Sequence, residues 1–211
     1  MSHTKLEIVT AGVGGQGTVL ASKLLAQSAL IGALPVRTAE TIGMAQRGGS
    51  VLGHIRIGAF ESPLVMHGQA DVLIGFEPTE SLRALPYLRE GGTVVTALRT
   101  IAPNRGAAAA APAAASAAAL TGRTCPAPLE VLRELALDGR IASLVEVEQD
   151  ALLAQLGSSR VLNVLLIGAA LAYLAPLSAS SLDAALAAVV KPAYLALNRQ
   201  ALQLGRLGRL A

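Results

Sequence analysis

Two short glycine-bearing stretches carry most of the chemistry that this 211-residue chain can offer. The first, AGVGGQG, runs from Ala11 to Gly17 and sets Gly12, Gly14 and Gly17 at G-x-G-x-x-G spacing. Gly15 and Gln16 lie inside it, and Thr18 opens the helix-like run TVLASKLLAQSAL that follows. Such a strand–turn–helix lets the backbone approach a phosphate, with free N–H groups and the positive end of the helix dipole aimed at it. Dinucleotide-binding turns also want an acidic residue at the end of the second strand, and Glu40 lies near that position. The same glycines equally serve tight strand–helix packing, and the pattern by itself leaves both readings open.

The second stretch, Gln46-Arg47-Gly48-Gly49-Ser50, follows Glu40 where an ordinary dinucleotide fold would place a helix. It suits a flexible arm or a backbone nest for an anion, or else a plain turn into a strand with Arg47 in solvent. Arg47 has paired donors for a phosphate or carboxylate, and Glu40 is its candidate partner within the chain. His54 and His67 lack the company that a metal site needs, so no metal is expected. Cys125 is the only cysteine. It forms no intrachain disulfide and cannot alone hold a cluster that wants four thiolates.

Composition narrows the classes further. Apolar residues make up 53% of the chain and charged residues 15%, which argues for a large buried core. Aromatics are only 2%, and the net charge of +3 comes from scattered arginines. Neither a base-stacking platform nor a basic stripe is present, so nucleic-acid binding is not expected. The opening MSHTKLEIVT lacks a signal-peptide core. The apolar run from Val161 to Ala175 is shorter than the roughly 20 residues of a membrane span. The expectation is a cytoplasmic protein without a membrane span.

The elements that must position these residues alternate. LEIVTAG, LPVRTAE, SVLGHIRIG, ADVLIGF, TVVTAL and IASLVEVE read as strands, with SVLGHIRIG half-exposed. Helices are expected at Thr18 to Ala29, after Pro78 (with Pro86 bending or ending it early) and in PLEVLRELALDG. The fold class is therefore α/β, a Rossmann-like, parallel-rich sheet flanked by helices, with a C-terminal helical segment. Residues 1–100 and 120–149 form the α/β body, 101–119 an Ala-rich loop interrupted by Pro112, and 150–211 a helical extension, all in one domain.

Taken together, GVGGQGTVLASKLLA and AETIGMAQRGGSVLGHIRIG strongly resemble the gamma-type domain of the 2-oxoacid:ferredoxin oxidoreductases. The branch with a separate small (beta) subunit acting on indolepyruvate is the nearest. The resemblance continues through ADVLIGFEPTESLRALPYLREGGTVV, GSSRVLNVLLIGA and KPAYLALNRQALQLG, leaving out only the Ala-rich stretch. One departure is Ile42, near where relatives of the indolepyruvate type often carry a His.

The resemblance implies an accessory, cofactor-free subunit, inactive alone. Its enzyme would oxidatively decarboxylate indolepyruvate or other arylpyruvates to the acyl-CoA. Thiamine diphosphate, magnesium and 4Fe–4S clusters would sit on a large alpha subunit, with ferredoxin as electron acceptor. Gly12, Gly14, Gly15, Gln16, Gly17 and Thr18 would face an anion, CoA being the candidate. Glu40, Gln46, Arg47, Gly48, Gly49 and Ser50 would form the arm toward the partner. Two rivals remain at this point: a stand-alone NAD(P)- or FAD-binding redox protein, and a purely structural assembly subunit.

Overall fold

The computed structural model describes residues 5–42, 49–100 and 126–208. The Ala-rich loop, Cys125, Gln46, Arg47 and Gly48 lie outside the described residues.

Strand β1 (Leu6–Val13) is buried on both sides, as a nearly continuous apolar run requires. Its period of two divides it between two cores: Leu6 and Ile8 face one, Val9 and Ala11 the other. Helix α1 (Thr18–Ile31) leaves the glycine turn and ends at Gly32. Then come β2 (Val36–Ile42), β3 (Ser50–Ile57) and β4 (Ala70–Gly75). Helix α2 (Pro78–Ala84) is short, because Pro86 lies in a 3₁₀ turn (Leu85–Tyr87) that leads directly into β5 (Leu88–Ala97). Helix α3 (Pro128–Leu137) and β6 (Ile141–Val147) complete the sheet. Four helices follow: α4 (Gln149–Leu156), α5 (Leu162–Ala170), α6 (Ala179–Val189) and α7 (Pro192–Leu207).

The six strands lie in the order β2-β3-β1-β4-β5-β6. β1, β4, β5 and β6 pair in parallel, whereas β3 runs antiparallel to both β1 and β2. In a dinucleotide fold the place beside β1 belongs to a parallel second strand. Here β3 takes it and pushes β2 to the edge.

Helix α1 and the C-terminal helices share one core on one face of the sheet, with Leu24, Leu25, Leu165, Leu166, Leu186 and Leu202 all buried. Helices α2 and α3 cover the other face over Leu73, Val94 and Ile141. The second face of β3 is not solvated as its alternation suggests. His54 is 2% exposed, lies edge-on to Tyr87 at 5.3 Å, and is covered there. Helices α5 and α7 cross closely at Gly168 and Gly205, where an added Cβ on Gly205 would run into the Leu165 carbonyl. Among the described residues no single helix is long and apolar enough to cross a membrane. The apolar pair α4 and Ser159–Tyr173 is bent by 118°.

Candidate functional site

The glycine turn sits at the carboxyl end of β1, beside the carboxyl end of β4. Helix α1 leaves β1 toward one face, and α2 leaves β4 toward the other. This divergence of successive helices opens a crevice where α/β sheets bind ligands.

Gly15 and Gly17 have φ of 106° and 87°, backbone that a residue with a Cβ adopts only under strain. Gly12 serves close approach instead. A Cβ there would stand 2.8 Å from Gln16 Oε1, Phe76 Cβ and Thr18 Cγ2. The turn is held from several directions. Gly14 N–H donates to the Gly49 carbonyl at 2.8 Å, which ties it to the start of β3. Gln16 N–H donates to the Val13 carbonyl at 3.1 Å. The Gln16 side chain accepts from Val13 N–H at 2.6 Å and donates to the Phe76 carbonyl at 3.2 Å. Its amide is thus spent inside the chain, bridging the ends of β1 and β4.

The Gly17 carbonyl accepts from Ala21 N–H at 3.0 Å, which starts α1, and from Asn163 Nδ2 at 3.4 Å. Gly17 caps α1 with no side-chain hydrogen bond. Gly15 and Gly17 N–H make no backbone hydrogen bond among the described residues, and Thr18 N–H is free by helix geometry. These amides are the donors that an anion would meet.

Beside them lies a cleft of about 260 Å³, lined on one side by Gly15, Gln16, Gly17 and Phe76. Its other walls are Arg99 after β5, Gln149 and Asp150 at the start of α4, and Ser159, Arg160 and Leu162 at the start of α5. Gln149 Oε1 accepts from Leu98 N–H at 2.7 Å and pins α4 to the end of β5. Arg99 pairs with Asp150 at 3.3 Å, but both side chains are more than half exposed, at 63% and 53%. Such a pair is weak and readily exchanged for a stronger anion. Arg160 is exposed and makes no ion pair among the described residues. Two guanidinium groups and a free helix N-terminus therefore border one cleft, a set of donors suited to a phosphate.

On the other flank of the turn stands a carboxylate pair. Glu77, 1% exposed, caps α2 by accepting from Glu80 N–H at 2.6 Å. Its second oxygen, Oε2, meets no donor among the described residues. Glu80, 2% exposed, accepts from Ser50 Oγ and from Arg83 Nη1, each at 2.5 Å.

Of the residues singled out in the sequence, Gly12 through Thr18, Gly49 and Ser50 come together at the turn. Glu40 does not. It is exposed on edge strand β2, paired with Gly53 of β3, and two strand spacings from β1. At about 4.8 Å per spacing it stands roughly 10 Å from β1, about twice as far as the acid that holds a ribose in a dinucleotide fold. This corrects the dinucleotide expectation, and the cause is the antiparallel insertion of β3. Arg99, Arg160, Gln149, Glu77, Glu80 and Asn163 were not picked out as site residues from the sequence. A signal existed for Arg160 and Asn163, which fall inside GSSRVLNVLLIGA. Arg99 follows a strand with no local pattern to mark it.

The sequence pattern of the family described as pyruvate ferredoxin/flavodoxin oxidoreductase matches residues 7–207. The chain is 34% identical over 205 residues to the indolepyruvate oxidoreductase subunit IorB of Archaeoglobus fulgidus, covering 95% of this chain and 94% of that protein. The fold is that of the gamma subunit of a keto/oxoacid ferredoxin oxidoreductase from Geobacter sulfurreducens, with a TM-score of 0.66, 21% identity and 95% of each chain covered. It also matches 30% of a longer chain, the 2-oxoglutarate:ferredoxin oxidoreductase of Magnetococcus marinus, with 96% of this chain covered, a TM-score of 0.64 and 18% identity. That structure holds 2-oxoglutarate, coenzyme A and succinyl-CoA.

Proposed function

This chain belongs to the pyruvate ferredoxin/flavodoxin oxidoreductase family, and we propose that it completes an enzyme whose redox cofactors lie on a larger partner. It is an accessory subunit of a 2-oxoacid:ferredoxin oxidoreductase. The likeness to an indolepyruvate oxidoreductase subunit along nearly the full length of both proteins is the observation that carries this. Indolepyruvate and other arylpyruvates are accordingly the substrates we assign.

A 4Fe–4S cluster does not fit this chain. The sequence holds one cysteine, against four thiolates for a 4Fe–4S cluster. The described residues gather no three His, Cys, Asp or Glu side chains around a metal position. We assign thiamine diphosphate, magnesium and the clusters to a large alpha subunit, with ferredoxin taking the electrons. The chemistry of the carbanion belongs to the bound cofactor, while the protein binds, orients and encloses.

The work of this chain is then positional. The free amides of Gly15, Gly17 and Thr18, with Arg99 and Arg160, receive the phosphates of CoA, the acyl acceptor. The Gln46–Ser50 arm reaches toward the partner's active-site region, with Arg47 as its charged contact. The supporting observation is the cleft itself: fixed backbone, two guanidinium groups and an uncapped helix start around one opening.

The test is reconstitution. The chain alone should reduce no dye with any 2-oxo acid. Activity should appear on adding a thiamine- and cluster-bearing subunit, and should depend on CoA. A chain that recovers no such partner from its source, or that binds a nicotinamide or flavin dinucleotide at micromolar concentration, contradicts the reading.

A further inference from the structure

We propose that Glu80 is a positioning residue for the glycine turn and acts through Ser50. The inference rests on the reading of the turn and the Gln46–Ser50 arm as the CoA- and partner-facing side of the subunit.

A carboxylate taken out of water is costly unless donors replace its solvent. Glu80 is 2% exposed and has two donors, Ser50 Oγ and Arg83 Nη1, both at 2.5 Å. Arg83 is itself 65% exposed and would serve an exposed glutamate as well. Ser50 lies at the exposed start of β3, yet its Oγ reaches Glu80 Oε2, the oxygen that Arg83 leaves free, and is the one contact among the described residues that ties the Glu80 side chain to a strand. Helix capping does not explain it either, because Glu77 already caps α2 through Glu80 N–H at 2.6 Å. That cap fixes the Glu80 backbone, so the Glu80 side chain is aimed from a rigid base.

Ser50 is the last residue of the arm and the first of β3, in register with Val13 at the end of β1. One peptide unit back, the Gly49 carbonyl accepts from Gly14 N–H at 2.8 Å. A single buried carboxylate thus fixes the hydroxyl of Ser50 and, across one peptide unit, the first amide of the glycine turn. Asn163 holds the far end of the turn at Gly17. Loosening the Glu80 end should let Gly14, Gly15 and the start of β3 depart from the geometry that CoA meets, without touching the chemistry on the partner. The expected signature is a change in the KM for CoA rather than in kcat.

The experiment uses the reconstituted complex and 2-oxo-acid-dependent dye reduction, with the assembled fraction measured alongside. S50A and E80A should each raise the KM for CoA by about five- to tenfold, the size expected for a lost charge-assisted hydrogen bond, with kcat within twofold. The double variant S50A/E80A should be no worse than the worse single variant, because both remove one interaction. S50T, which keeps the hydroxyl donor, should restore near wild-type KM, and E80Q, which keeps one acceptor oxygen but not the charge, should fall between E80A and wild type. A CoA KM within twofold of wild type for S50A in an assembled complex overturns the proposal, as does failure of S50T to differ from S50A. Where E80A does not assemble, the S50A and S50T pair decides. R47A separates this claim from the one it rests on. If R47A raises the KM while S50A and E80A do not, only the positioning role of Glu80 fails. If R47A changes neither assembly nor KM while S50A raises the KM, the arm reading fails at Arg47 and the positioning role stands.

Discussion

Gln16 illustrates how much of the glycine turn is devoted to holding itself. Both ends of its amide are satisfied within the chain, so the groups left for a ligand are backbone amides and the two arginines opposite. Truncating Arg160 to Ala should weaken CoA binding to the complex severalfold while leaving thermal stability within about 0.5 kcal/mol, as expected for an exposed side chain. A calorimetric titration and a melt check both halves. Gly12→Ala should act in the opposite way. Its Cβ would meet three atoms at 2.8 Å, and overpacking of this kind costs about 1–3 kcal/mol, readable by urea denaturation. His54 adds a dependence on pH. Burial lowers its pKa below the ordinary 6.5, so the unfolded chain binds a proton that the folded chain refuses. Stability should be at full strength above about pH 6.5 and fall as the pH drops through the window between the ordinary and the lowered pKa. Urea midpoints from pH 8 to 5 should show this fall in the wild type and a smaller one in H54Q; equal slopes contradict it.

At the scale of elements, what could be read from the sequence was whatever adjacent residues decide. LEIVT, the glycine spacing and TVLASKLLA specify β1, turn and α1 locally, and the structure has them at Leu6–Val13 and Thr18–Ile31. Pro86 and Pro192 end or divide helices where a proline must. What adjacent residues do not decide is pairing. Nothing in SVLGHIRIG says that β3 inserts antiparallel between β2 and β1, and that insertion is what removes Glu40 from the site. For the same reason Arg99 and Arg160, far from Gly15 along the chain, became site residues only through the fold. Glu80 stands in the first turn of a helix, where an acid is ordinary, and only the register of Ser50 gives it a further task. The α5–α7 crossing makes a prediction of its own. Gly205→Ala would push a methyl group into the Leu165 carbonyl and should cost about 1–3 kcal/mol. Loss of the Asn163 end of the turn, carried on α5, should follow as weaker CoA binding in the complex.

As a whole molecule the chain gathers its candidate site at one end of the sheet. Its sheet directs a fixed glycine turn, two arginines and the base of an arm to the same end, while the sequence supplies too few thiolates for a cluster. Such a subunit should complete the catalysis of a partner and perform none alone. The deciding assay is 2-oxo-acid-dependent dye reduction with this chain, with the large thiamine- and cluster-bearing subunit, and with both. Indolepyruvate oxidation, dependent on CoA, is expected only when both are present. Full CoA-dependent turnover by the large subunit alone, or turnover by this chain without it, would contradict this expectation.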